Sequence, residues 1–138
     1  MSELFLDSAY AIALSVANDE FHGRAMALRG QLKLQPTKLI TTRAILLEIG
    51  NALAKPRYRP AAIRLLEAIE SDPTIEIIPI SHQLYSRAFQ LFIARRDQDW
   101  GLTDCVSFIV MQDLGVTSAL TTDQHFQQAG FRALLREN

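Results

Sequence analysis

Short apolar segments alternate with helical patterns along this chain, and that alternation limits the folds open to it. The segments predicted as strands are residues 4–6, 39–41, 75–80 and 118–121, with residues 131–135 as a candidate fifth. Stretches with apolar residues at helical spacing separate them. Because right-handed crossovers return each helix to the sheet, the pattern predicts a three-layer α/β/α fold with a central parallel sheet of four to five short strands.

The composition indicates one folded domain over residues 1–138, because 49% of the residues are hydrophobic and can form a core. The formal net charge of −1 gives no general attraction for nucleic acid, so an RNA contact would need a local basic patch. No apolar run approaches the roughly 20 residues of a membrane-spanning helix. The single Cys105 excludes an internal disulfide, and the first residues lack the positive region of a secretory signal. We therefore expect a cytoplasmic protein without a membrane segment.

Four acidic residues stand near the strand-to-helix transitions of this pattern: Asp7, Glu48, Asp104 and Asp123. Asp7 ends a predicted strand and Asp123 follows one. Glu48 lies in the helix after the second strand. Asp104 follows Thr103, a good N-cap residue, and is predicted in the first turn of a helix. The ends of parallel strands meet at one edge of a sheet, so acids that are distant in sequence can converge there.

Each of these acids also has a simpler interpretation. Asp7 alone fits a helix N-cap, and Glu48 fits an exposed polar stripe. The helix dipole alone accounts for Asp104, and Asp123 suits a turn. Four acids at corresponding positions are harder to attribute to chance, and a cation with oxygen ligands would remove their mutual repulsion. The set predicts a metal site open to phosphate oxygens and metal-assisted attack on a phosphodiester.

Four segments in register resemble the PIN-domain ribonucleases, and within them the VapC-type toxins of bacterial toxin–antitoxin pairs. They are residues 5–8 (Phe-Leu-Asp-Ser), 47–53 (Leu-Glu-Ile-Gly-Asn-Ala-Leu), 102–107 (Leu-Thr-Asp-Cys-Val-Ser) and 120–126 (Leu-Thr-Thr-Asp-Gln-His-Phe). The resemblance implies that the four acids bind Mg²⁺ or Mn²⁺ and form the catalytic site, with Asp7 and Asp104 as the most direct ligands. It assigns supporting roles to polar neighbours that would orient the acids: Ser8, Asn51, Thr103, Ser107 and Thr122.

The same resemblance implies an Mg²⁺-dependent endoribonuclease that forms a homodimer and is held inactive by a cognate antitoxin protein. Lys55, Arg57, Tyr58 and Arg59 combine positive charge with an aromatic ring, so they are candidate RNA contacts or else a solvated loop. The apolar helices predicted around residues 21–32 and 61–69 offer a groove for the amphipathic tail of an antitoxin.

The remaining candidate side chains have structural interpretations. His22, His82 and His125 show no paired metal spacing and are interpreted as surface or packing residues. Cys105 is interpreted as a small core residue. Trp100, in a polar loop, either flanks the site or covers an edge of the core.

Two other functions stay open at the level of sequence. One is a phosphatase or phosphoacceptor domain that uses Asp7 as nucleophile. That chemistry expects a second acid two residues later and a lysine near a late strand, whereas Ala9 occupies the first position and no lysine follows Lys55. The other is a non-catalytic PIN-like module that binds RNA or protein and whose acids hold a structural cation.

Overall fold

Five parallel β-strands form one sheet at the centre of the structure, a computed structural model that describes residues 2–137. The strands are β1 (Ser2–Leu6), β2 (Thr37–Thr42), β3 (Ile75–Ile78), β4 (Ser118–Leu120) and β5 (Arg132–Ala133). Within the same residues, seven helices flank the sheet: α1 (Ser8–Ser15), α2 (His22–Leu32), α3 (Arg43–Ala52), α4 (Arg59–Ser71), α5 (His82–Ala94), α6 (Leu102–Leu114) and α7 (Gln124–Gln128). The predicted α/β fold with a parallel sheet is confirmed. No helix in the described part of the chain has the length and apolar content needed to cross a bilayer.

The strand order β3-β2-β1-β4-β5 sends the chain in opposite directions from β1. Phe5 of β1 pairs with Ile40 of β2 on one side and with Ala119 of β4 on the other. A reversal of this kind opens a crevice at the carboxyl ends of the strands, where open parallel sheets bind their ligands. The Asp7 N–H donates to the Leu120 carbonyl at 3.3 Å and holds the ends of β1 and β4 together at that crevice.

Hydrogen bonds at the helix starts fix how the chain leaves the sheet. The Thr42 hydroxyl accepts a bond from the Ile45 N–H at 3.3 Å and caps α3 directly after β2. Ser81 caps α5 as predicted, because its hydroxyl accepts the Leu84 N–H at 3.0 Å. Each cap satisfies a backbone donor that has no partner inside its helix.

The start of α6 differs from the prediction. Thr103 was expected to cap this helix, but it lies inside the first turn and Gly101 is the N-cap. The reason is that the Asp104 carboxylate reaches back and accepts the Gly101 N–H at 3.1 Å, which closes the first turn two residues earlier. Asp104 does lie in the first turn, as predicted.

Three strands are shorter than the sequence indicated, and β4 is shorter by one residue because it ends at Leu120. The third strand ends at Ile78, because Pro79 has no N–H to donate to the sheet. The candidate fifth strand keeps only two residues. After them the Leu135 N–H donates to the Thr121 carbonyl at 3.1 Å, and the chain closes into a 3₁₀ turn that buries the Leu135 side chain.

An aromatic cluster connects the sheet to the helices beside the crevice. The ring centroid of Phe126 in α7 lies 6.1 Å from that of Phe5 in β1 and 5.1 Å from that of Phe108 in α6. Phe108 packs edge-on against Trp100 at 5.0 Å, and the Trp100 indole N–H donates to Gln128. Trp100 is buried and therefore covers an edge of the core. The cluster joins β1, which ends before Asp7, to α6, which contains Asp104, and to α7, which begins after Asp123.

Candidate metal centre

Four carboxylates from separate segments meet at the carboxyl edge of β1 and β4. Asp7 joins β1 to α1, Asp123 precedes α7, Glu48 lies in α3 and Asp104 in the first turn of α6. Burial raises the pKa of the carboxyls of Asp7, Glu48 and Asp104. The negative charges of neighbouring acids raise each of these pKa values further. Each acid thus interacts with at least two others. We call these four residues the acidic cluster.

Asp7 is the most enclosed member, with 5% of the residue exposed. The hydroxyl of Thr121, directly after β4, donates to its Oδ2 at 2.6 Å. Burial raises the pKa of Asp7 to about 7, although the Thr121 hydrogen bond acts in the opposite direction. The metal-free carboxyl therefore holds a proton at a higher pH than an ordinary aspartate does, and a bound cation would favour the charged form.

Glu48 is turned toward the cluster from the middle of α3. The Ser8 hydroxyl, at the start of α1, donates to Glu48 Oε1. Burial raises the pKa of Glu48, the Ser8 hydrogen bond lowers it, and the charges of Asp104 and Asp123 raise it further. The structure therefore places this side chain in the crevice and not on an exposed polar stripe.

His125 lies among the acids, so its interpretation as a surface or packing residue is corrected. Its Nδ1 is 3.0 Å from Asp104 Oδ2 and 3.3 Å from Asp123 Oδ1. Its backbone N–H donates to Asp123 Oδ1 at 2.8 Å, so the N-cap turn of α7 brings the ring to the cluster. The only signal in the sequence was its position two residues after a predicted site acid.

The other predicted supporting residues lie near the acids but make different contacts. Asn51 lines a cavity of about 370 Å³ beside the cluster. The Ser107 hydroxyl donates to the Thr103 carbonyl at 3.1 Å inside α6. The Thr122 backbone carbonyl accepts a hydrogen bond from the Arg136 guanidinium. Within residues 2–137, the side chains of Thr103, Ser107 and Thr122 form no hydrogen bond to the cluster, and Thr121 supplies the contact that the sequence assigned to its neighbour.

Two of the basic side chains at residues 55–59 are engaged by nearby groups of the same loop. The Arg59 guanidinium donates twice to the Ala54 carbonyl, at 2.6 and 3.0 Å. The Arg57 guanidinium lies 4.7 Å from the centroid of the half-buried Tyr58 ring. An RNA base that stacked on this face of the Tyr58 ring would have to displace Arg57. The Lys55 side chain is exposed. The RNA contact at this segment stays a prediction.

The donor set of the acidic cluster fits a divalent cation. Within residues 2–137, no lysine or arginine forms an ion pair with any of its carboxylates. One potential ligand atom each from Asp104, Asp123 and His125 lies within 4.8 Å of the other two. Carboxylate oxygens are the ligands preferred by Mg²⁺ and Mn²⁺, and a cation would offset the repulsion that protons now relieve.

Solved structures of other proteins share this fold, among them two toxin–antitoxin proteins. VapC20 from Mycobacterium tuberculosis, a sarcin–ricin loop cleaving toxin, is 25% identical with a TM-score of 0.84, and the match covers 93% of this chain and 95% of that one. VapBC2 from Rickettsia felis, solved bound to a DNA fragment from its promoter, is 12% identical with a TM-score of 0.63, and the match covers 96% of this chain and 97% of that one. At that lower identity the likeness concerns the fold alone.

Among curated protein sequences, none matches this chain significantly. A model of the PIN domain family does match it, over residues 4–132, and that range includes every member of the acidic cluster. The chain therefore belongs to the PIN domain family.

Proposed function

We propose that this chain is a metal-dependent endoribonuclease that hydrolyses RNA phosphodiester bonds and acts as the toxin of a toxin–antitoxin pair. The observation that carries the proposal is the convergence of four carboxylates at the crevice, with the pKa of Asp7 raised to about 7. Such a cluster destabilises the metal-free protein, and a function that needs a bound cation explains it. The likeness to VapC20, which cleaves RNA, supports the substrate class.

The acidic cluster is the catalytic site in this proposal, and its members hold Mg²⁺ or Mn²⁺. When bound, the ion lowers the pKa of a water and stabilises charge on phosphate oxygens. Hydrogen bonds from Thr121, Ser8 and the Gly101 N–H each fix one oxygen on a different member of the cluster. The chain therefore orients its ligands before substrate binds, which reduces the rearrangement needed for the reaction.

A groove of about 920 Å³ between α1, α2 and α4 is the proposed docking site for the antitoxin. Apolar side chains line much of it, including Tyr10, Leu14, Leu32, Leu39 and Leu65. Arg29, Lys33 and Arg64 also line it, with Asp72 as the acidic residue of the lining. This chemistry fits an amphipathic segment that combines an apolar face with acidic flanks.

Asp7→Asn and Asp104→Asn should each lower metal-dependent RNA cleavage by more than about a hundredfold, because each removes a ligand charge and keeps the side-chain shape. The measurement is the initial rate of cleavage of a structured RNA at matched Mg²⁺ or Mn²⁺. The matched control is Asp113→Asn in α6, which breaks only a surface pair with Arg87. Circular dichroism checks that all three variants are folded. Wild-type rates in either cluster variant would contradict the assignment.

The metal-free protein should lose stability as pH rises from about 4 towards 7. Burial raises the folded-state pKa of Asp7 from 3.8 to about 7, so in this window the folded state holds a proton that the unfolded state has released. The free energy of unfolding then falls by up to about 1.4 kcal/mol per pH unit for this group. Urea denaturation in the presence of a chelator measures the free energy of unfolding at each pH, with Asp7→Asn as the comparison. The difference in the free energy of unfolding between the wild type and Asp7→Asn should change between pH 4 and pH 7. A difference that stays constant over this range would show that the Asp7 pKa is unperturbed.

The groove assignment predicts that Ala68→Arg prevents antitoxin binding. Ala68 is exposed, lines the groove and lies in α4, so a long charged side chain should block the partner and leave the fold intact. The matched control is Ala94→Arg at the exposed end of α5. Each protein is co-expressed with the small protein encoded next to it, and co-purification is measured. Retention of that partner by Ala68→Arg, at the level of the control, would place the docking site elsewhere.

A further inference from the structure

The ring of His125 is held among the acids by two independent restraints. Its backbone N–H donates to Asp123 Oδ1 at 2.8 Å, which fixes the start of α7. Its Nδ1 lies 3.0 Å from Asp104 Oδ2 and 3.3 Å from Asp123 Oδ1. The side chain is 24% exposed, so the ring lies inside the crevice and not on the surface. An imidazole nitrogen, which can act as a metal ligand, is therefore fixed beside the carboxylates of Asp104 and Asp123.

The spacing of these three groups suits one shared ion. A ligand atom from each of Asp104, Asp123 and His125 lies within 4.8 Å of the others. Ligand bonds to small divalent ions are about 2.0–2.2 Å long, so two ligands of one ion lie up to about 4.4 Å apart. Small side-chain rotations are enough to bring all three onto one ion.

A nitrogen ligand changes which ion the site prefers. Both Mg²⁺ and Mn²⁺ take oxygen ligands, but Mg²⁺ is the harder ion and gives up its water reluctantly. Mn²⁺ begins the first-row transition series and therefore accepts an imidazole nitrogen more readily than Mg²⁺ does. We propose that His125 is a nitrogen ligand of the metal centre and makes that centre favour Mn²⁺ over Mg²⁺. This inference rests on the proposed metal-dependent function and specifies which ion performs it.

The test is Mn²⁺ binding to the full chain, followed by electron spin echo spectroscopy, which detects a ¹⁴N nucleus bound to the ion. We expect ¹⁴N modulation in the wild type and in His82→Asn, since His82 is an exposed histidine at the start of α5. His125→Asn should abolish the modulation and lower the ratio of Mn²⁺ to Mg²⁺ affinity at least about tenfold. Calorimetric titration with each ion measures that ratio.

Wild-type protein labelled with ¹⁵N-histidine provides the same test without a substitution, because the ¹⁴N modulation should disappear from it. A wild-type spectrum without ¹⁴N modulation overturns the inference, as does modulation that survives either His125→Asn or the label. Asp104→Asn distinguishes failure of the histidine ligand from failure of the whole metal site. If Asp104→Asn weakens Mn²⁺ binding and His125→Asn changes neither the spectrum nor the ratio, the metal site stands and the histidine ligand is wrong. If Mn²⁺ does not bind, or binds equally well to Asp104→Asn, both fail.

Discussion

Repulsion among the carboxylates of the acidic cluster is the constraint on which this end of the sheet depends. Strand ends and helix starts fix the positions of three of the acids, and the middle of α3 fixes that of Glu48. None can therefore relieve the repulsion by moving far into solvent. Asp7 is the clearest case, because it joins β1 to α1 and is 5% exposed. Burial is the largest cause of the rise in its pKa to about 7, and the negative charges of Glu48 and Asp104 raise it further. The aromatic cluster that joins β1, α6 and α7 buries apolar surface, and that burial offsets the unfavourable free energy of the crowded carboxylates.

The donors that orient the acids explain why the repulsion persists. Thr121, Ser8 and the Gly101 N–H donate hydrogen bonds to three members of the cluster, and all of these donors are uncharged. An arginine would have oriented a carboxylate and neutralised it as well, as Arg87 does for Asp113 on the surface. The carboxylates are thus held in place without being neutralised, which is the arrangement that the proposed cation requires.

The sequence was sufficient for the sheet and for the acids that follow its strands, because both depend on regular rules of alternation and strand ends. It was not sufficient for the contacts among neighbours. Thr121 and Thr122 are adjacent residues after a strand, and only the register of β4 against β1 decides which hydroxyl reaches Asp7. His125 was missed for a related reason, since a single histidine has no spacing pattern and its role depends on the turn that Asp123 caps.

The most direct test of the central claim is the position of Mn²⁺ in crystals grown or soaked with that ion near neutral pH, located by anomalous diffraction. We predict a peak enclosed by the acidic cluster, at bonding distance from carboxylate oxygens of Asp7 and Asp104. A saturating Mn²⁺ concentration that leaves the cluster without a peak, or with the ion bound only elsewhere on the protein, would contradict it.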